Sequence, residues 1–260
     1  MSHEGRPHSA APSAPAHVGE ALPEIDVRER GAEQGGQPQI MDRRLFMQFL
    51  AFHLPAGHAD GAMRGLTAAL SQRRIGAVVY EDVNDPRGIG VLTWSEDPGH
   101  FVTAVRPVLG DATLGLVQRP ELTMLGRTYS TGYENDLTFW LLDRPKQTVL
   151  NEAHGWAVWY PLRRSGAFAK LEPREQGAIL REHGTIGRAY GAKDFAHDVR
   201  LACYGLDPHD NDFVIGLIGK DLHPLSHIVQ AMRKTRQTSE FIEKLGPFFV
   251  GRAAWRSPGG

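Results

Sequence analysis

Two passages of twenty residues decide the fold: GVLTWSEDPGHFVTAVRPVL at 90–109 and FVIGLIGKDLHPLSHIVQAM at 213–232. Each runs from an apolar strand, through an acidic residue and a proline that open a helix, into an amphipathic helix. Repetition of that kind sets architecture before any motif does. Outward from the first passage, LFMQFLAFHL (45–54) has strand texture and is closed by Pro55 and Gly57. ADGAMRGLTAALSQRR (59–74) reads as a helix, and IGAVVYEDV and GIGVLTW flank the turn signal Asn84-Asp85-Pro86-Arg87-Gly88. A strand near LTMLGRTYSTGY (122–133) closes this half. Outward from the second passage, WAVWYPL (156–162) is a strand and PREQGAILREHGTIGRAY (173–190) a helix. HDVRLACYGLD and NDFVIGLIG form the next strand pair, and PFFVGRAAW (247–255) is the last strand.

The order predicts an α+β fold: two ferredoxin-like βαββαβ halves side by side, forming an antiparallel β-barrel with outer helices. The halves divide at 39–150 and 151–260, with the seam in the polar stretch Asp143 to His154. Residues 1–38 are rich in Pro, Ala, Gly, His and charge and poor in aromatic and β-branched residues, so they are expected to form a disordered tail.

Composition excludes several classes of function. Hydrophobic residues make up 41% and charged residues 23% of the 260, with a formal net charge of -1, which implies neither a nucleic-acid partner nor an acidic surface. Cys203 stands alone, which rules out an internal disulfide and any all-cysteine zinc or iron-sulfur site and fits a reducing cytoplasm. No apolar run approaches the roughly 20 residues of a membrane span. The N-terminus also lacks the charged-then-apolar order of a secretory signal. A cytoplasmic chain with no membrane partner is expected.

The helix at 173–190 carries the chemistry. Ile179, His183, Ile186 and Tyr190 fall on one stripe, so His183 faces inward. Gly184 and Gly187 stand beside it, each costing about 0.5 to 1 kcal/mol relative to alanine in a helix interior. Close approach of a flat object would offset that loss. The plainer alternative is a buried histidine satisfied by a backbone carbonyl. His223 and His227, four apart, could form half of a metal site but have no placed partner. His53, His58, His100, His154, His197 and His209 follow no ligand spacing.

Four segments in order, WAVWYPLRRSGAF, LREHGTIGRAYG, GLDPHDNDFVIGL and MRKTRQTSEFIEKLGPFFVG, resemble the C-terminal half of the chlorite dismutase-like superfamily. The resemblance spans roughly Trp156 to Gly251; the N-terminal half agrees only in pattern. That superfamily includes chlorite dismutases and peroxide-dependent coproheme decarboxylases, built as paired ferredoxin-like domains in homo-oligomeric rings, often pentamers. The resemblance implies haem b or coproheme as cofactor and the histidine of HGTIGR, His183, as proximal iron ligand. It implies Tyr160 as the oxidisable tyrosine of the YP strand motif and Arg164 as the basic residue that supports the pocket. A porphyrin and a small-molecule oxidant are the implied partners.

Departures from the family pattern bear on the reaction. The distal position, arginine in chlorite dismutases and glutamine in many decarboxylases, falls near Asp198, with His197 and Arg200 as neighbours in register. An acid there would repel chlorite by about 1 kcal/mol at 4 Å in water and by more when desolvated. The place of the glutamate that draws the proton of the proximal histidine falls at Arg236 or Gln237, and the aromatic pair after the YP motif is reduced to Phe168 and Ala169. The expected function is a haem-binding oxidoreductase, decarboxylase-like or peroxidase-like, using hydrogen peroxide. A non-catalytic haem sensor or carrier is the alternative, and a chlorite-degrading lyase is disfavoured by Asp198.

Overall fold

The computed structural model describes residues 22–258. In chain order the elements are β1 (Glu29–Gln34), β2 (Gln37–Met41), β3 (Phe46–His53), α1 (Ala59–Gln72), β4 (Ala77–Asp82) and β5 (Gly88–Ser95). A π-turn at Phe101–Val105 then runs into α2 (Arg106–Leu109), followed by β6 (Val117–Arg127). A second π-turn, Phe139–Asp143, runs into α3 (Arg144–Leu150). The second half holds β7 (Trp156–Arg164), α4 (Gly166–Ala169), α5 (Pro173–Ala192), β8 (His197–Ala202), β9 (Phe213–Gly219), α6 (Leu222–Met232), α7 (Arg236–Phe241), β10 (Ile242–Leu245) and β11 (Phe249–Arg256). Among the described residues no helix is long and apolar enough to cross a membrane.

The two halves repeat one strand order. The first reads β6-β3-β5-β4 and the second β11-β7-β9-β8, the fourth-first-third-second order of a βαββαβ unit. β4 then pairs with β11, and β6 with β8, so eight strands of the nine-stranded sheet close into a ring, with β10 added on the edge of β7. The joints are unequal. β4 and β11 are paired from Gly251↔Asp82 to Arg256↔Val78, whereas β6 meets β8 only at Arg127↔Ala202.

Aromatic rings fill the interior. Phe49 of β3 and Trp159 of β7, which hold equivalent places in the two halves, stack at 5.8 Å with 27° between planes. Phe249 meets Phe49 edge-on at 4.8 Å, and Tyr80 lies 6.5 Å from each of them. All four are essentially buried. Space for the two central rings comes from the third strand of each half: a Cβ on Gly90 would sit 2.3 Å from Phe49 Cζ, and one on Gly216 2.5 Å from Trp159 Cη2. The outward faces are covered by helices, α1 and α2 over the first half, α5 and α6 over the second.

Two expectations change, and one strand is added. Much of the seam is a helix, because Leu141, Leu142 and Val149 recur at helical spacing and bury into the barrel core, with Pro145 buried beside them, while Arg144 and Lys146 are half-buried. The expected tail divides: residues 1–21 lie outside the described residues, but β1 and β2 form a hairpin overlapping residues 29–38. That hairpin is docked through backbone Ala32 N–H to Glu134 O (2.9 Å) and through the Glu29 carboxylate, which accepts from Arg127 (3.0 Å) and Ser130 N–H (2.9 Å). β10, which no periodicity marked, is held by its register with β7.

Gly216→Ala and Gly90→Ala should each destabilise the protein by about 1 to 3 kcal/mol through overpacking. The denaturation midpoint should recover in a Gly216→Ala, Trp159→Leu double variant; an unchanged midpoint in the single variants would show that the rings are not held by these gaps.

Candidate functional site

Strand alternation sorts the second half into an inner and an outer face. On β7, Ala157 and Trp159 face the barrel core, while Val158, Tyr160 and Leu162 join the outer cluster beneath α5 and α6. On β8, Val199 and Leu201 point inward, so Asp198 and Arg200 share the outer side. The register sets Tyr160, Ile215 and Arg200 in one row across β7, β9 and β8, with Val158, Leu217 and Asp198 in the next. Tyr160, Arg164, Asp198 and Arg200 therefore converge on one sheet face, and α5 brings His183 above it.

His183 makes no side-chain hydrogen bond among the described residues, and its Nδ1 is buried without a partner. A histidine satisfied by a carbonyl is not what the structure contains. Burial holds the imidazole below its usual pKa, reinforced by the nearby guanidinium groups of Arg164 and Arg200. The neighbouring glycines have space to spare: a Cβ would lie 3.5 Å from Arg188 at Gly184 and 3.8 Å from Met232 at Gly187. The chain's own packing thus gives no reason for glycine at either place.

Two further buried atoms near this face lack partners, Arg164 Nε and Gln237 Oε1. Arg164 lies between two aromatic faces, 4.4 Å from the Phe168 ring and 4.9 Å from Phe213. Phe168 is buried against Phe241 at 5.6 Å, while Ala169 is exposed. Gln237 is buried on α7, which packs on α5. Arg236 instead turns outward to Glu175 (2.8 Å) and Glu240 (2.9 Å). Of the two residues weighed for that position, Gln237 is the inward one.

Asp198 is not a bare acid. Arg144 of α3 donates to its Oδ1 (2.7 Å) and to its backbone carbonyl (2.8 Å), and Arg200 Nε lies 2.9 Å from Oδ2. Burial would raise its pKa, but the two guanidinium groups outweigh it and hold the carboxyl below the ordinary range. The local balance is two positive charges against one negative, so the repulsion expected of an isolated acid does not follow. Arg144 lies 54 residues from Asp198, and no motif or spacing links them. His197 turns away to Asp194 (2.7 Å). Tyr160 is 7% exposed and stacks on Phe248 at 4.7 Å; burial first, then the Asp198 charge, pushes its phenol above the usual value. His223 and His227 lie 5.9 Å apart on α6, and the latter is bound to the Tyr190 hydroxyl. Burial pushes the Cys203 thiol up to about 12, so it offers no thiolate nucleophile.

The chain matches the chlorite dismutase family over residues 91–254. A protein of Haloarcula marismortui named as haem-binding is 35% identical over 78 residues, which is 30% of this chain and 11% of that protein, so the likeness spans a small part of the relative's length. Among solved structures, a haem-binding protein from Thermus thermophilus superposes with a TM-score of 0.65 at 17% identity, over 81% of this chain and 91% of the other. A variant chlorite dismutase of Candidatus Nitrospira defluvii gives 0.64 at 13% identity, over 83% and 93%. At these identities the structures speak to fold.

Arg144→Ala should cost about 1.5 to 3 kcal/mol, because it strips Asp198 of charge-assisted hydrogen bonds. Combined with Asp198→Asn it should cost less than the sum of the single changes. Strict additivity in a denaturant double-mutant cycle would show that the pair does not act as a unit.

Proposed function

The chain belongs to the chlorite dismutase family, and from that membership we propose that it binds haem between α5 and the outer face of β7, β8 and β9, with His183 as the iron ligand. One observation carries this reading: His183 faces that sheet with its Nδ1 buried and unpartnered, beside two helix glycines that the chain's own packing leaves unexplained. A histidine that coordinates iron through one ring nitrogen needs an acceptor for the other. Gln237 Oε1, likewise unpartnered and on a helix packed against α5, is suited to accept it. An amide carbonyl fixes the tautomer without withdrawing the proton, so the ligand stays a neutral imidazole. Arg164, with its Nε unpartnered, supplies positive charge for a porphyrin carboxylate.

When bound, with His183 holding it, the iron would supply activation of a peroxide oxidant. The reading is a haem oxidoreductase using hydrogen peroxide, with coproheme decarboxylation as its reaction. Tyr160 is the oxidisable side chain on this face; Phe248 stacks on its ring and burial keeps the phenol protonated. Haem b and coproheme are both accommodated by the same ligand. A cytoplasmic, homo-oligomeric protein belongs to the same reading. A second reading, a haem carrier, is favoured by the clamp on Asp198: a carboxylate held by Arg144 and Arg200 has little freedom to shuttle protons.

His183→Ala should weaken haem binding by more than the roughly 10- to 100-fold that loss of an outer-shell partner costs, with an unchanged far-ultraviolet spectrum. An unaltered Soret band and affinity would remove His183 as the ligand. Tyr160→Phe should bind iron coproporphyrin normally but lose the carboxyl mass change after peroxide addition. Undiminished decarboxylation would exclude Tyr160 from the reaction, and a wild-type protein that leaves the propionates intact is the carrier's outcome.

A further inference from the structure

His154, Asp194 and His197 come from three separate places in the chain: the turn before β7, the turn after α5, and the first position of β8. The fold brings them to one end of the second half's sheet. Asp194 Oδ1 receives both imidazoles, His154 Nε2 at 2.9 Å and His197 Nε2 at 2.7 Å, and the two rings stack at 4.7 Å with 21° between planes. Lys220, just past β9, holds the other carboxylate oxygen at 2.5 Å. Their ligand atoms all lie within 4.8 Å of one another. None of this belongs to the face beneath His183.

We propose that His154, Asp194 and His197 form a binding site for a divalent transition metal, with Zn2+ as the ion of best fit. Two imidazole nitrogens and one carboxylate oxygen suit zinc and its neighbours rather than calcium or magnesium, which take oxygen ligands. With Zn–N at roughly 2.0 to 2.1 Å, tetrahedral ligands stand about 3.3 Å apart. The present 2.7 and 2.9 Å contacts need to open by about half an ångström, and the two imidazole nitrogens, within 4.8 Å of each other, must come to the same spacing to admit the ion between the three. Lys220 then orients the carboxylate from Oδ2, as an outer partner does. The buried His154 is a fixed ligand at 5% exposure, while the side chains of His197 and Asp194 are 28% and 44% exposed and leave room for water in the fourth position.

Binding moves protons but no electrons. As the metal takes Nε2 of each imidazole, the one ring proton that remains sits at Nδ1 and any second proton is released to solvent. His154 Nδ1 is buried and has no partner, which limits affinity without preventing binding. Bound zinc would tie the end of α5, eleven positions beyond His183 at Asp194, to the starts of β7 and β8.

Full-length protein freed of metal by chelation should take up one Zn2+ per chain in calorimetric titration, with a raised melting temperature. Asp194→Asn, which keeps a residue tolerant of the left-handed backbone at φ 56°, and His197→Ala should each weaken uptake at least tenfold and abolish the thermal shift. A variant lacking residues 1–21, which contain His3, His8 and His17, and a His223→Ala, His227→Ala double variant should bind as the wild type does. Equal affinity in Asp194→Asn, His197→Ala and wild type, or no saturable uptake by folded wild-type protein, would overturn the site.

Discussion

The stacking of Phe49 on Trp159 across the barrel is the contact on which the rest of the structure depends. A ring of eight strands this small has to be filled by side chains, and here one large ring from the first strand of each half meets the other at the centre. Neither ring fits unless the third strand of its half is a glycine at the crossing point, Gly90 for Phe49 and Gly216 for Trp159. Because side chains alternate along a strand, committing Trp159 to the interior sends Tyr160 to the outside. Fixing Val199 inward does the same for Asp198 and Arg200. The site on the outer face is thus the complement of the packing within.

That dependence explains what the sequence reveals. The repeat at 90–109 and 213–232, the strand order and the inward stripe of α5 are all written in local periodicity, and the structure reproduces them. Elements whose reason is tertiary were harder to see. Arg144 and Lys146 make the stretch from Asp143 read as a polar linker, yet Leu141, Pro145 and Val149 give it a buried side. The hairpin β1–β2 has little apolar surface of its own and owes its docking to Glu29 and the backbone around Glu134.

The site was legible to the same degree and for the same reason. The helix stripe marks His183 only as inward-facing; its proposed role, like that of Tyr160, comes from the resemblance of HGTIGR and the YP motif to the family. The environment of Asp198 does not, since it is made by a guanidinium from another half of the molecule. Register alone left Asp198, His197 and Arg200 competing for one position; alternation sets His197 aside, bonded to Asp194, and leaves Asp198 and Arg200 together on the face. The choice between Arg236 and Gln237 likewise turns on burial within a six-residue helix: Gln237 is buried, whereas Arg236 reaches out to Glu175 and Glu240.

The two joints of the ring also divide mechanical work. One is laced along most of β11, the other is fastened by the single rung between Arg127 and Ala202. A hoop closed this way is weakest at its single rung, between β6 and β8. The strand at that joint is the one bearing Asp198 and Arg200, so the floor of the outer-face site borders the least-braced stitch of the barrel, whereas β7 is braced by β11 on one side and β9 on the other.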